Sequence, residues 1–194
     1  MADGRVLIAG GYDGAAVAYC EIYDPATNAV TLASAMPDGK ARFAMVLLDD
    51  GRVLAVGGTA SSSSYIYDPT DGTWGNTAAM VGIYGDNDYP ECGAVRLVSG
   101  NVLASSSDAF GMTCLWSKAT NTWAAAGTPS GTYMRTSAVM ARLSDGSVLR
   151  AGGSDENSSA SGVCRVYTEG VGWAAANALS VPRAYLGLGG CGKM

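Results

Sequence analysis

Apolar residues fall in short runs along this chain, without the sustained 3.6-residue spacing of an amphipathic helix. Gly, Asp, Asn, Pro and Ser cut the runs apart, which is how short strands joined by tight turns read. One run recurs with its turn. It stands as DGRVLIAGG at 3–11, DGRVLAVGG at 50–58, SGNVLASSS at 99–107 and DGSVLRAGG at 145–153. The turn glycines Gly4, Gly51, Gly100 and Gly146 lie 47, 49 and 46 residues apart. Self-similarity at that period marks a repeat architecture, with units at about 3–49, 50–98, 99–144 and 145–192.

Each unit carries further parts in a fixed order. A second apolar strand ends in an aromatic: CEIYDPATN at 20–28, SYIYDPTDG at 64–72, TCLWSKATN at 113–121 and CRVYTEGVG at 164–172. Trp74 follows Tyr67 by seven residues, Trp123 follows Trp116 by seven, and Trp173 follows Tyr167 by six; Val30 takes that place after Tyr23. A last apolar segment leads into the next turn: ARFAMVLLDDG, ECGAVRLVSG and TSAVMARLSDG. Asp-Gly at three of the turns is hairpin chemistry, because Gly takes the positive φ such turns need. Gly-Gly at the strand ends lets another backbone approach closely.

Four short strands per unit of this length describe a propeller blade. The apolar strand ending in Gly-Gly, the Tyr-Asp-Pro and the spaced Trp together resemble the kelch repeat, in the style of galactose-oxidase-like blades. The resemblance runs the length of the chain. It weakens in the third unit, where Ser105-Ser106-Ser107 replaces the glycine pair and Ser117-Lys118 replaces Asp-Pro, and in the fourth, which has Thr168-Glu169. The expected fold is all-β, a propeller of four four-stranded kelch-like blades in a single domain over 1–194. The first unit begins at its second strand, and RAYLGLGGCG at 183–192 matches the first-strand segment RFAMVLLDDG at 42–51. Residues at about 184–190 are therefore expected to pair with residues at about 5–10 and close the first blade. Half of a two-chain ring and a piece of a longer propeller are the other two arrangements that fit.

Composition narrows the function. The chain has 194 residues, 48% hydrophobic and 15% charged, with net charge −5. No basic stripe is present, so nucleic acid is not an expected partner. No apolar run approaches membrane-spanning length. The five cysteines show no metal-ligand spacing, and repeated core placement is the expectation for Cys20, Cys114 and Cys164. Histidine is absent. No Ser-His-Asp or Cys-His centre can be assembled from this chain, and the imidazole-ligated copper site implied by the galactose-oxidase-like resemblance lacks its ligands. No cofactor and no metal are expected.

The candidate site follows from the loops. Turns between first and second strands are short and alike, whereas YDGAAVA at 12–18, VGIYGDNDYPE at 81–91, the segment 127–134 and SDENSSAS at 154–161 differ in length and character. Variable loops on a rigid scaffold are where binding concentrates. Tyr84 and Tyr89 among Asp86, Asp88 and Glu91 suit sugar stacking or a protein partner. Arg42, Arg135 and Arg183, with Glu91 in the fourth place, are expected at the starts of first strands around the mouth of the channel. Arginines there could hold a carboxylate through paired hydrogen bonds. Asp155 and Glu156 form a second acidic pair. The reading is a non-catalytic binding or assembly module that presents this loop face to a protein or glycan ligand. An enzyme or fragment of the galactose-oxidase-like kind is one alternative, and a self-assembling subunit, with a second copy of the chain as partner, is another. The resemblance leans toward a secreted or cell-surface setting.

Overall fold

The computed structural model describes residues 1–58, 62–81, 92–105, 111–129, 138–155, 157 and 159–186. Its regular structure is entirely strand: fifteen short strands in four antiparallel sheets, with no helix among the described residues. Blade 1 holds β1 (Val6–Ala9), β2 (Cys20–Asp24) and β3 (Ala29–Ala33). Blade 2 holds β4 (Ala44–Leu47), β5 (Val53–Val56), β6 (Ser64–Asp68) and β7 (Thr73–Asn76). Blade 3 holds β8 (Gly93–Arg96), β9 (Val102–Ser105), β10 (Thr113–Ser117) and β11 (Thr122–Ala125). Blade 4 holds β12 (Val139–Arg142), β13 (Val148–Ala151), β14 (Cys164–Thr168) and β15 (Gly172–Ala176). Each sheet runs in simple sequence order, and the first strand β8 neighbours both β4 and β12.

The hairpins between first and second strands are near copies. Gly4, Gly51, Gly100 and Gly146 have φ of 87°, 89°, 89° and 90°. The residue before each glycine accepts the backbone N–H two positions on: Asp3 from Arg5 at 3.0 Å, Asp50 from Arg52 at 3.1 Å, Ser99 from Asn101 at 3.2 Å and Asp145 from Ser147 at 3.0 Å. That is an Asx- or Ser-type turn, which fixes the corner with a local bond.

Strand alternation sends one side of each blade toward the preceding blade and the other toward the next. Leu7, Cys20 and Ile22 of blade 1 pack on Val53, Tyr67 and Trp74 of blade 2. Leu54, Val56 and Ile66 of blade 2 pack on Cys114, Trp116 and Trp123 of blade 3. Leu103 and Leu115 of blade 3 pack on Val148, Tyr167 and Trp173 of blade 4. These are the three hydrophobic clusters of the described residues, and none of them joins blade 4 to blade 1.

The Trp noted in the sequence is the fastener of these junctions. It sits directly across from the strand-end aromatic, as Tyr67↔Trp74, Trp116↔Trp123 and Tyr167↔Trp173. Tyr67 with Trp74 and Tyr167 with Trp173 make tilted ring pairs at 5.1 and 5.3 Å. Each indole N–H then donates into the preceding blade. Trp74 reaches the Ser34 carbonyl at 2.9 Å, Trp123 reaches Ser64 Oγ at 2.9 Å, and Trp173 reaches Thr113 Oγ1 at 3.0 Å.

Both departures at the Asp-Pro position have a structural reason. Lys118 and Glu169 occupy the place of proline, and each reaches the hairpin of the preceding blade. Lys118 Nζ lies 2.7 Å from Asp49 Oδ1, and Glu169 Oε1 accepts from Ser99 Oγ at 2.9 Å and Asn101 Nδ2 at 2.7 Å.

Cys20 and Cys164 occupy matched positions on the side of the blade that faces away from the Tyr23 and Tyr167 side, while Cys114, one position on, faces the preceding blade. All three are buried and free. Blade 1 has three strands among the described residues. The expected fourth, at about 184–190, falls mostly on residues outside them.

Candidate functional site

The end of the blades opposite the hairpins is shaped by the glycine pairs. After β3, residues 36–43 turn back across Gly10-Gly11 before entering β4: Met36 N–H donates to the Ala18 carbonyl, and Gly11 N–H donates to the Lys40 carbonyl at 2.9 Å. A Cβ on Gly10 would stand 2.4 Å from that carbonyl oxygen, so only glycine allows the crossing. The same crossing recurs after β15. Gly153 N–H donates to the Arg183 carbonyl at 3.0 Å, Arg183 N–H donates to the Ser161 carbonyl, and a Cβ on Gly152 would meet Leu186 at 2.3 Å.

These contacts correct the register assumed for the C-terminal segment. Arg183 is the counterpart of Lys40, and Tyr185 is the counterpart of Arg42. Arg42 and Tyr185 share the left-handed backbone, with φ of 57° and 56°. The sequence match of 183–192 with 42–51 was therefore two residues out at its start. The error is natural, because Arg-Ala-Tyr and Arg-Phe-Ala look alike and only the glycine crossing reveals which carbonyl is in phase.

Arg42 and Arg183 are both exposed at the loop end. They stand at different junctions: Arg42 accepts the Cys92 N–H at 3.3 Å beside blades 2 and 3, whereas Arg183 lies against blade 4. Tyr84, Asp86, Asp88, Tyr89, Glu91 and Arg135 lie outside the described residues, as do 81–91 almost entirely and most of 127–134. Asp155 is committed to its own loop, where its carboxylate accepts the N–H groups of Asn157 at 2.9 Å and Ser159 at 2.8 Å. The loops 12–16 and 154–160 are each pinched by an isolated bridge, Tyr12↔Ala16 and Ser154↔Ala160.

Two cations that the sequence reading passed over are buried at this end. Lys40 is wholly enclosed. Its ammonium donates to the carbonyls of Gly57 and Ser63 and to Ser63 Oγ, each at 3.0 Å. Asp38 stands at 3.7 Å, and the Tyr65 ring lies 5.1 Å below. Burial pulls the Lys40 pKa down, against the opposing pull of Asp38. Arg150, also buried, donates to the Gly111 carbonyl at 3.1 Å. Between these cations sits Cys92, whose thiol burial pushes up to about 12 while Lys40 and Arg150 act in the opposite sense. A signal for Lys40 did exist in the sequence: it is a charged residue in a segment that must thread between two glycine pairs.

Near the hairpin end, an apolar recess of about 170 Å³ is lined by Met1, Val6, Leu7, Met45, Leu47 and Val53. It lies beside β1, which pairs with β2 alone among the described residues. No group of three or more His, Cys, Asp or Glu among the described residues could hold a metal ion. No described helix is long and apolar enough to cross a membrane.

Comparison with known proteins agrees with this architecture. The Kelch motif model matches residues 2–37. No curated protein matches the chain. Among solved structures, a fungal alcohol oxidase of the AA5 family in complex with copper superposes with a TM-score of 0.70 at 14% identity, over 94% of this chain and 41% of that one. The structure of YjhT gives a TM-score of 0.70 at 15% identity, over 94% of this chain and 70% of that one. The chain thus carries a kelch motif and has the fold of galactose-oxidase-like and YjhT-type kelch propellers. It spans about two fifths of the oxidase chain.

Proposed function

We propose that the chain is a non-catalytic binding module that presents the loop end of its blades to a protein or glycan ligand. The supporting observation is the contrast between the two ends. At the hairpin end, four turns share one glycine conformation and one backbone bond, and Lys118 and Glu169 tie neighbouring turns together. Such an end is committed to holding the blades. At the other end the loops differ in every unit, and Arg42 and Arg183 are exposed there. The residues of the proposal are Arg42 and Arg183 with Tyr84, Asp86, Asp88, Tyr89, Glu91 and Arg135.

The oxidase in the comparison is a copper protein, but this chain does not fit that metal. Histidine is absent from its 194 residues, and the described carboxylates and thiols do not converge. A kelch scaffold serves many functions, so the fold alone does not bring the oxidase's chemistry with it.

The test is a glycan array probed with the purified chain. Replacing Tyr84, Tyr89 and Arg135 by Ala should abolish any specific signal while leaving the melting temperature within a degree or two of wild type. Unfolding by those changes would make the loop residues structural. Alcohol oxidation with stoichiometric copper would establish the enzymatic alternative.

A further inference from the structure

The turns of the hairpin end tie the blades together, but the first strands that run into them carry a charge pattern that tying does not require. Leu47, Arg96 and Arg142 close β4, β8 and β12 at one matched position. Each pairs with the valine that opens the second strand of its own blade: Val53, Val102 and Val148. β8 has β4 on one side and β12 on the other. The two arginines therefore stand on neighbouring first strands at the same level, Arg96 half-buried and Arg142 exposed. Arg142 Nη1 donates to the Arg96 carbonyl at 3.2 Å, which brings its guanidinium onto the very residue that carries the other one.

Neither guanidinium meets a carboxylate among the described residues, in a chain whose net charge is −5. Other cations of this end are matched: Arg5 lies 2.7 Å from Asp3, Arg52 2.8 Å from Asp50 and Lys118 2.7 Å from Asp49. The acids of the nearest turns are engaged as well. Asp145, in the turn after β12, accepts the Ser147 N–H and hydroxyl, and Glu169 accepts from Ser99 and Asn101 in the turn after β8. Two like charges on neighbouring strands repel, and a bound counter-charge would remove that cost.

We propose that Arg96 and Arg142 form a binding site for a phosphate group, carried by free phosphate or by a small phosphomonoester. Two monocations are neutralised by one dianion. A tetrahedral oxyanion offers different edges to two guanidinium forks, whereas a single fork already fills a carboxylate. Leu47, at the matched place on β4, adds an apolar neighbour and no third charge. The site lies at the end of the blades opposite the variable loops, and it stands whether or not those loops bind a ligand.

Thermal unfolding of the whole chain, with ionic strength held constant by chloride, tests the site. Inorganic phosphate should raise the melting temperature along a saturating curve, and acetate should not. Arg96→Gln and Arg142→Gln should each weaken the apparent phosphate affinity roughly tenfold, as loss of one charge-assisted pair does. Without phosphate, Arg96→Gln should melt no lower than wild type, because it relieves the repulsion and leaves the carbonyl bond in place. Arg52→Gln removes a cation already paired with Asp50 and should bind phosphate as wild type does. Glycerol 3-phosphate acting more strongly than inorganic phosphate would identify a phosphomonoester as the ligand, and weaker action would identify the free ion. No saturable response to either, an equal response to acetate, or a phosphate response that survives both Arg96→Gln and Arg142→Gln would overturn the proposal.

Discussion

The junction between blades 2 and 3 and the outer face of blade 1 are drawn from the same strand positions, yet one is dry and bonded and the other is bare. At the junction, Trp123 is buried and its N–H reaches Ser64, with Ile66 and Leu54 beneath it. On blade 1 the same place holds Val30, opposite Tyr23, whose hydroxyl lies 3.2 Å from Asn28 of its own turn. A repeat therefore supplies a socket, and only a neighbouring blade turns the socket into stability. Residues that look equivalent in the sequence differ in worth according to whether something covers them.

The largest effect is expected from Trp123→Ala. Loss of a buried indole and its bond should cost about 3–5 kcal/mol in urea unfolding, whereas Val30→Ala should stay within about 0.5 kcal/mol, as exposed changes do. Equal losses at the two positions would mean that blade 1 is covered as blade 3 is.

Lys40→Ala comes next. It removes the donor that satisfies the buried Gly57 carbonyl and the half-buried Ser63 carbonyl, so unfolding should become easier by about 3 kcal/mol. A neutral outcome would show that water reaches those carbonyls.

The third test is alkaline. Burial raises the Cys92 thiol from 9.0 to about 12, so between those values the folded chain keeps a proton that the unfolded chain has released. That contribution is whole below pH 9 and is lost as pH rises toward 12. Wild type should lose stability over this window more steeply than Cys92→Ala. Parallel curves would argue that the thiol is open to solvent.

The smallest effect belongs to Lys118, whose partner Asp49 is on the surface. At neutral pH, Lys118→Ala should leave the denaturant midpoint unmoved, since exposed pairs contribute little. The Lys118 ammonium holds the Asp49 carboxyl below its usual 3.8. Its contribution is therefore present above pH 3.8 and fades as pH falls through the lowered value. The variant should lack that fraction of the acid sensitivity.

Much of the fold was legible because repeats average out local ambiguity. The hairpin glycines, the aromatic strand ends and the spaced Trp were each legible from register; the glycines share one φ, and the aromatic and the Trp pair across the strands. The departures at Lys118 and Glu169 were visible as departures, but their reason was not. Each acts across a junction, on Asp49 and on Asn101, at a separation in sequence of roughly one and a half units. Lys40 was missed because its one signal is not local: the glycine pairs it threads between, Gly10-Gly11 and Gly57-Gly58, belong to two different units. Arg183 pairs in the sequence with Arg42, two residues out of phase with its counterpart Lys40, because Arg-Ala-Tyr and Arg-Phe-Ala look alike.

Strand lengths, turn chemistry and which side chains share a face belong to the repeat itself. These follow from local sterics and two-residue alternation, and four copies report them four times. The tertiary structure decided which face meets which, where Lys40 and Arg150 lose their solvent, and which of two identical sockets is filled. Those outcomes depend on contacts between residues far apart in the chain, from Lys40 with Gly57 and Ser63 to Trp123 with Ser64 and Trp74 with Ser34, and on how far each blade covers the next.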